Sequence, residues 1–340
     1  MRVCDWIAEY LWQHGVKNVY GIMGGGAAGL NDGFIKHGKI KYRCFHHEQG
    51  AAHAAIGESK LTGRVAVVNP TTGCGGMNCA TSVLDAWQDS TPVIFISGNV
   101  RLNACSGYIN QQRGINIRKY GLQEHHVVDT YKSITKASTF VTDVKDVAYT
   151  IQRAFALAYS GRPGPVWIDI PGDIQLAQMP EEYVNYHHTE IPSTTLDEPV
   201  NYEDIKQRIA AAERPIVLAG YGIRQSNTVD EFIKFVEHYQ IPFVSTFGGR
   251  DYTSDDHPLS IGAVGIKGLR GANFAMQNAD LLLVLGSSLG GAVIGYDPKQ
   301  FSPASYKIVV DIDKNELKKG IVEVDENINI DLGEFFGAML

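Results

Sequence analysis

The residues best equipped for chemistry in this 340-residue chain lie in Phe45-His46-His47-Glu48-Gln49-Gly50, followed by Ala51-Ala52-His53-Ala54-Ala55. A carboxylate in an Ala/Gly-rich stretch, directly after a β-type run (Ile40, Tyr42, Cys44), has two readings. Either Glu48 begins a helix, where the helix dipole favours negative charge near the N-terminus, or it works on a ligand. The small residues that follow allow another backbone or another subunit to approach closely. A zinc protease does not fit, because H-E-x-x-H sets its histidines one helical turn apart and four residues separate Glu48 from His53 here. No metal ligand is therefore assigned.

Three further stretches combine glycine with polar side chains at strand ends. Val19-Tyr20-Gly21-Ile22 reads as a short strand running into Met23-Gly24-Gly25-Gly26-Ala27, which matches neither G-x-G-x-x-G nor the Walker pattern. Residues 64–69 form a β-branched run before Pro70, and Thr71-Thr72-Gly73-Cys74-Gly75-Gly76-Met77-Asn78 follows as a ligand-facing turn from strand to helix. Pro92 to Gly98 is a third strand closed by glycine. Gly286-Ser287-Ser288-Leu289-Gly290 fits a nucleophile elbow after a strand, yet no histidine follows His257 to serve as its base. That stretch is read as a strand-end turn.

The elements that must position these residues alternate between strand and helix. Val3, Ile7 and Leu11 recur at helical spacing and Gly15 stands where a C-cap is expected. A helix is predicted from Thr81 to Trp87 and another from Val147 to Tyr159, with a short strand at Ser133–Lys136 and a strand from Val166 to Ile170. The polar run from Asn99 to Gln123 reads as an irregular loop, of a length that is usually functional or disordered. Residues 176–200, with Pro180, Pro192 and Pro199, read as an extended linker. Beyond it, strands at 214–222, 242–246, 279–286 and, last, 307–313 alternate with helices. The fold class is α/β, with two doubly wound parallel-sheet domains at 1–175 and 201–340.

Composition bounds the function. A net charge of −7 gives no basic face for nucleic acid. No apolar run approaches the roughly 20 residues that span a bilayer, and the N-terminus has no signal core. The five cysteines (Cys4, Cys44, Cys74, Cys79, Cys105) form no C-x-x-C pair and suit reduced thiols in a cytoplasmic protein.

Taken in order, Tyr20-Gly21-Ile22 with its glycine loop, His47-Glu48 with the Ala-rich helix, Thr72 to Asn78, Gln123-Glu124, Ile134-Thr135-Lys136 and Ser160-Gly161-Arg162-Pro163-Gly164-Pro165-Val166 resemble the thiamine-diphosphate-dependent enzymes of the acetolactate synthase group. The resemblance extends over essentially the whole chain. It implies a pyrimidine-binding domain, then a Rossmann-like central domain. It implies that Glu48 hydrogen-bonds a ring nitrogen of the cofactor's aminopyrimidine and so promotes removal of the thiazolium proton. Gly24, Gly25 and Ala27 fall on the family's glycine loop, and Gly73 and Asn78, just after Thr72, on its G-P-G-A-T-N turn, where Cys74 and Met77 replace proline and threonine. Gln123 falls on a glutamine of the reaction chamber. The loop before it is longer than in typical acetolactate synthases and closer to relatives among surface-polysaccharide biosynthesis genes.

Arg162, Gly220 and Gly222 match positions that contact FAD in the family. The family's G-A-R-F-D-D run is Gly286-Ser287-Ser288-Leu289-Gly290-Gly291 here, so the resemblance leaves FAD open. The group also carries a C-terminal domain whose G-D-G segment binds diphosphate through Mg2+. No G-D-G occurs in this sequence, and the apolar end Phe335–Leu340 suggests two domains of a longer enzyme. The implied activity is decarboxylation of a 2-oxo acid, such as pyruvate, and carboligation to a second carbonyl compound. The implied assembly is a homodimer or homotetramer with the site between subunits. Two rivals stand beside it: a non-catalytic nucleotide-binding or regulatory two-domain protein, and a simple 2-oxo acid decarboxylase.

Overall fold

The computed structural model describes residues 1–184 and 199–340, and the chain splits into two compact units, Met1–Pro192 and Ser193–Leu340. The first unit is a six-stranded parallel sheet with helices on both faces. Its strands are β1 (Asn18–Gly21), β2 (Lys41–Cys44), β3 (Ala66–Asn69), β4 (Val93–Asn99), β5 (Ala137–Phe140) and β6 (Val166–Pro171), in the order β2-β1-β3-β4-β6-β5. The central strands β3, β4 and β6 are buried at every position, whereas the outer strands β2 and β5 are not. This is the expected contrast for a sheet covered on both faces.

Alternation along each strand sends side chains to two cores. Ile94, Ile96 and Ile168 pack with Val3, Ile7 and Leu11 of the first helix (Val3–Gln13). Phe95 and Trp167 turn the other way, toward Ala52, Ala55 and Ile56 of the helix Glu48–Thr62. Trp167 is fully buried and stacks between Phe95 and Tyr131, at centroid distances of 4.9 and 4.3 Å. Burying side chains of this size contributes roughly 1.5–3 kcal/mol each.

The second unit repeats the architecture with β7 (Pro215–Ala219), β8 (Phe243–Ser245), β9 (Ser260–Ala263), β10 (Leu281–Leu285), β11 (Tyr306–Asp311) and β12 (Glu326–Asn329), all parallel, in the order β12-β11-β10-β7-β8-β9. Counted from β7, this is the dinucleotide-fold order, with its switch point between β7 and β10.

Several elements differ from the sequence reading. The loop 99–123 contains a 3-10 turn at Leu102–Ala104 and a helix at Ser106–Arg113. That helix has one buried residue, Ser106, so no apolar stripe announces it. The strand expected at Ser133–Lys136 lies at Ala137–Phe140, because Thr135 Oγ1 donates to the Tyr131 carbonyl and closes the preceding helical turn. The strand at 307–313 is not the last: β12 follows and pairs with β11 alone, its Glu-Asn-Ile-Asn sequence carrying almost no apolar signal. The apolar end 335–340 is accounted for within the unit, since the helix Leu332–Met339 buries Phe335, Phe336 and Met339 in the core.

Of the linker expected at 176–200, residues 185–198 lie outside the described residues. Its start packs on the first helix: Gln178 bridges Arg2, Val3 N–H donates to the Ala177 carbonyl, and Trp6 Nε1 donates to the Val184 carbonyl.

Candidate functional site

Glu48 is the first residue of its helix. His47 forms the N-cap, its Nδ1 accepting the Gln49 N–H at 3.2 Å. The helix start thus explains Glu48's backbone position but leaves its side chain for other use. That side chain is 7% exposed. Oε2 accepts from Asn78 Nδ2 at 2.9 Å, and Oε1 has no hydrogen-bond partner among the described residues. A Cβ built at Gly75 would lie 2.9 Å from Oε1 and 2.6 Å from Thr71 Cγ2, so only glycine leaves the carboxylate room there. A buried carboxylate with one oxygen held and the other free is suited to meet an N–H from a ligand.

The other predicted residues of this unit gather at the carboxyl ends of β1 to β4. Gly24 donates its N–H to Asn31 Oδ1 at 3.3 Å, Ala27 is fully buried, and Gly25 has open space around it. Thr72 lies so close to Gly26 that any side chain there would overlap its hydroxyl. Gly73 has φ +46°, and a Cβ on it would overlap the Gln123 carbonyl. Gln123 itself takes φ +56° and exposes its side chain. A non-glycine residue held there is uncommon and marks a position set by its surroundings.

The geometry therefore brings Glu48, Gly24, Gly25, Ala27, Thr72, Gly73, Asn78 and Gln123 to one edge of one sheet. Arg162 is at the opposite edge, ahead of β6, where its Nε donates to Ser90 Oγ at 2.7 Å. Gly220 and Gly222 belong to the second unit. A Cβ on Gly220 would fall into the Gly286 main chain, and one on Gly222 would lie 2.7 Å from Gly286 Cα. Each of the three residues thus has protein contacts of its own.

Two polar networks beneath this edge escaped the sequence reading. Asn31 Nδ2 donates to Asn69 Oδ1 (2.6 Å) and to Tyr42 Oη (3.0 Å), and Asn69 Nδ2 donates to the Ile96 carbonyl. Gln175, fully buried, donates from Nε2 to the carbonyls of Gly26 and Ile170 and so ties down the glycine loop. The second network centres on Asp169, which accepts from Ser97 Oγ and Asn99 Nδ2, both at 2.7 Å. Asn99 Nδ2 also reaches the His125 carbonyl at 3.5 Å, in the segment that carries Gln123. Burial pushes the Asp169 carboxyl up to about 6, against the pull of its two donors. The only hint in sequence was that Asn69, Asn99 and Asp169 are polar residues inside apolar strands.

Other candidates have ordinary roles. His53 Nδ1 faces Asp85 at 3.5 Å. All five cysteines are free thiols, with Cys44 and Cys74 exposed. Among the described residues, no group of three or more His, Cys, Asp or Glu is placed to hold a metal, and no helix is long and apolar enough to cross a membrane.

Two family models match the chain: "Thiamine pyrophosphate enzyme, N-terminal TPP binding domain" over residues 1–130, and "Thiamine pyrophosphate enzyme, central domain" over residues 202–339. Among curated relatives, the acetolactate synthase large subunit of Lactococcus lactis is 32% identical over 337 residues, covering 98% of this chain and 56% of the relative. The acetolactate synthase isozyme 1 large subunit of Escherichia coli is 34% identical, covering 93% and 53%. Acetolactate synthase 1, chloroplastic, of Zea mays is 34% identical, covering 93% and 48%. The chain spans about half the length of these relatives.

Proposed function

We propose that this chain, which belongs to the thiamine pyrophosphate enzyme family, takes part in decarboxylating a 2-oxo acid and joining the remainder to a second carbonyl compound. The observation that supports this most directly is the Glu48 carboxylate, buried, held at Oε2 by Asn78 and free at Oε1. When bound, thiamine diphosphate supplies the carbanion chemistry that carbon–carbon cleavage and ligation require. The residues that would hold its ring are Glu48, Gly75, the Gly24–Ala27 loop and the turn from Thr72 to Asn78.

Glu48 would hold a proton at Oε1 and exchange it with a ring nitrogen, which is general acid–base work by a fixed side chain. Asn78 sets the carboxylate plane. Gly75 keeps a Cβ out of the space beside it, and Gly73 lets the Gln123 main chain approach the turn. Gln123, on its strained backbone, would face the acceptor. Mg2+ and a diphosphate site would come from outside the residues described, and the chain would work as a homodimer or homotetramer, with its site shared between subunits.

The test is Glu48→Gln in the native protein, which keeps the shape and removes the proton exchange. Turnover with pyruvate at limiting cofactor should fall at least about 100-fold, the lower range for removing a general acid–base. Wild-type turnover under those conditions would overturn the assignment.

A further inference from the structure

Between Val100 and Gln123 the chain carries Arg101, Arg113, Arg118 and Lys119 and no Asp or Glu, in a protein of net charge −7. All four cations are exposed, and none has an ion pair or side-chain hydrogen bond among the described residues. Some cations elsewhere have carboxylates to meet, as Arg2 meets Asp5 and Arg224 meets Asp251, both at 2.6 Å, whereas this segment contains no carboxylate of its own. Four exposed like charges with no acid between them make this segment locally positive on an acidic protein.

The segment is ordered without their help. Glu124, 5% exposed, accepts from Ser106 Oγ at 3.0 Å and from the Tyr120 N–H at 2.9 Å, so both its oxygens serve the loop. Asn110 clamps Ile117 through both N–H and carbonyl, at 2.8 and 3.1 Å, and the Leu102 N–H donates to Asp173 Oδ1 at 2.9 Å. The helix Ser106–Arg113 ends on Gly114 at φ +63°. The cations are displayed from this scaffold, as are Tyr120 and Leu122, which are 68% and 79% exposed. The segment then runs directly into Gln123, whose carbonyl abuts Gly73.

We propose that residues 101–119 form an anion-binding mouth for this site and that the second carbonyl substrate carries phosphate. This rests on the function proposed above. One carboxylate, such as that of a 2-oxo acid, is satisfied by a single bidentate guanidinium. Four cations, Arg101 ahead of the helix, Arg113 at its end and Arg118 and Lys119 on its return, suit the greater charge and the several acceptor oxygens of a phosphate ester or a diphosphate-linked compound. The exposed Tyr120 and Leu122 offer an apolar face to the rest of such a molecule.

The experiment is calorimetric titration of the native protein with pyrophosphate and with uridine diphosphate, under saturating thiamine diphosphate so that the cofactor site is filled. It is repeated with Arg113→Gln/Arg118→Gln/Lys119→Gln, whose melting temperature is checked against wild type. Both probes should bind wild type, and losing three exposed charge contacts should weaken them about tenfold, with the affinity of thiamine diphosphate itself unchanged. Tighter binding of uridine diphosphate than pyrophosphate would indicate a nucleotide-linked acceptor, and equal binding a simple phosphate ester. Both support the proposal. Equal probe affinity in wild type and variant, loss of cofactor affinity instead, or dissociation of the oligomer without change in anion binding would each overturn it. Charge-dependent anion binding by a protein with no thiamine-dependent turnover would overturn only the proposed function.

Discussion

The carboxyl edges of the two sheets have the same parallel architecture and are closed by different means. In the first unit the strand order turns between β1 and β3, in the second between β7 and β10, the place where open α/β sheets take ligands. At the first edge the glycine loop meets side chains as well as main chain: Thr71 against Gly24, Thr72 against Gly26, Asn31 holding the Gly24 N–H, and the main chain of Gly26 and Ala27 lying on Gly98. At the second, main chain meets main chain, with Gly220 and Gly222 lying on Gly286 and the Gly220 carbonyl taken by Tyr252 Oη at 2.8 Å. A buried carboxylate with a free oxygen stands at the first edge. Glycine thus has two uses in one molecule, clearing space beside the Glu48 carboxylate in one unit and letting the loop backbones after two parallel strands touch in the other. Topology alone does not separate them.

The largest expected effect is the one already described for Glu48→Gln, and its control lies in the other unit. If the comparison holds, no single substitution at the β7/β10 switch reaches that loss of turnover while the protein remains folded. An activity scan of Gly220, Gly222 and Ser287 variants, each measured beside its melting curve, would break the comparison by finding one.

Asp169 gives the next largest effect. Its carboxyl is pushed up to about 6 in the fold, above the ordinary 3.8. The folded state therefore binds the proton more tightly than the unfolded chain between those values. The stabilisation this gives is complete below the unfolded value and lost as pH rises through 6. Integrated over the shift, stability attributable to this group should fall by about 3 kcal/mol from about pH 4 to about pH 7. Asp169→Asn should remove that slope, measured as the difference between urea midpoints of wild type and variant across pH. A difference that stays flat would mean that the carboxyl ionises in the fold without penalty.

Gly220→Ala comes third. Its methyl would press on the Gly286 main chain, costing about 1–3 kcal/mol as an overpacked contact. Melting temperature should drop while cofactor affinity stays at the wild-type value. A selective loss of cofactor or nucleotide binding would instead make the second edge a ligand site and erase the distinction drawn above.

How much of this was legible in the sequence follows from where the signals lie. Central strands announced themselves, since β10 is apolar throughout and β4 is apolar over Val93 to Ile96. The edge strands β5, β9 and β12 were displaced or missed, being half buried and carrying Ser, Thr, Gly or Asn where a core strand carries Val or Ile. Glu48, Gly73 and Asn78 were singled out by motif order. Asp169 and Gln175 were not, because their role is set by partners about 70 and 145 positions away, Ser97, Asn99 and Leu30. Arg162, Gly220 and Gly222, matched by motif alone, have protein contacts that motif order does not reveal.

Asn78 offers the smallest effect and the finest discrimination. Its side chain is exposed, so removing its bond to Glu48 Oε2 should cost only about 1 kcal/mol. In Asn78→Ala that would raise the cofactor concentration for half-maximal rate about fivefold, with kcat little changed, because Oε1 remains in place. Asn78→Asp is different in kind. It sets a second carboxylate 2.9 Å from the first, where two negative charges cannot both persist and the pair must share a proton. The pH profile of kcat/KM should then gain a new limb that the alanine variant lacks. If both variants only lowered the melting temperature, Asn78 would be holding the turn, and the contact with Glu48 would be packing like that at Gly286.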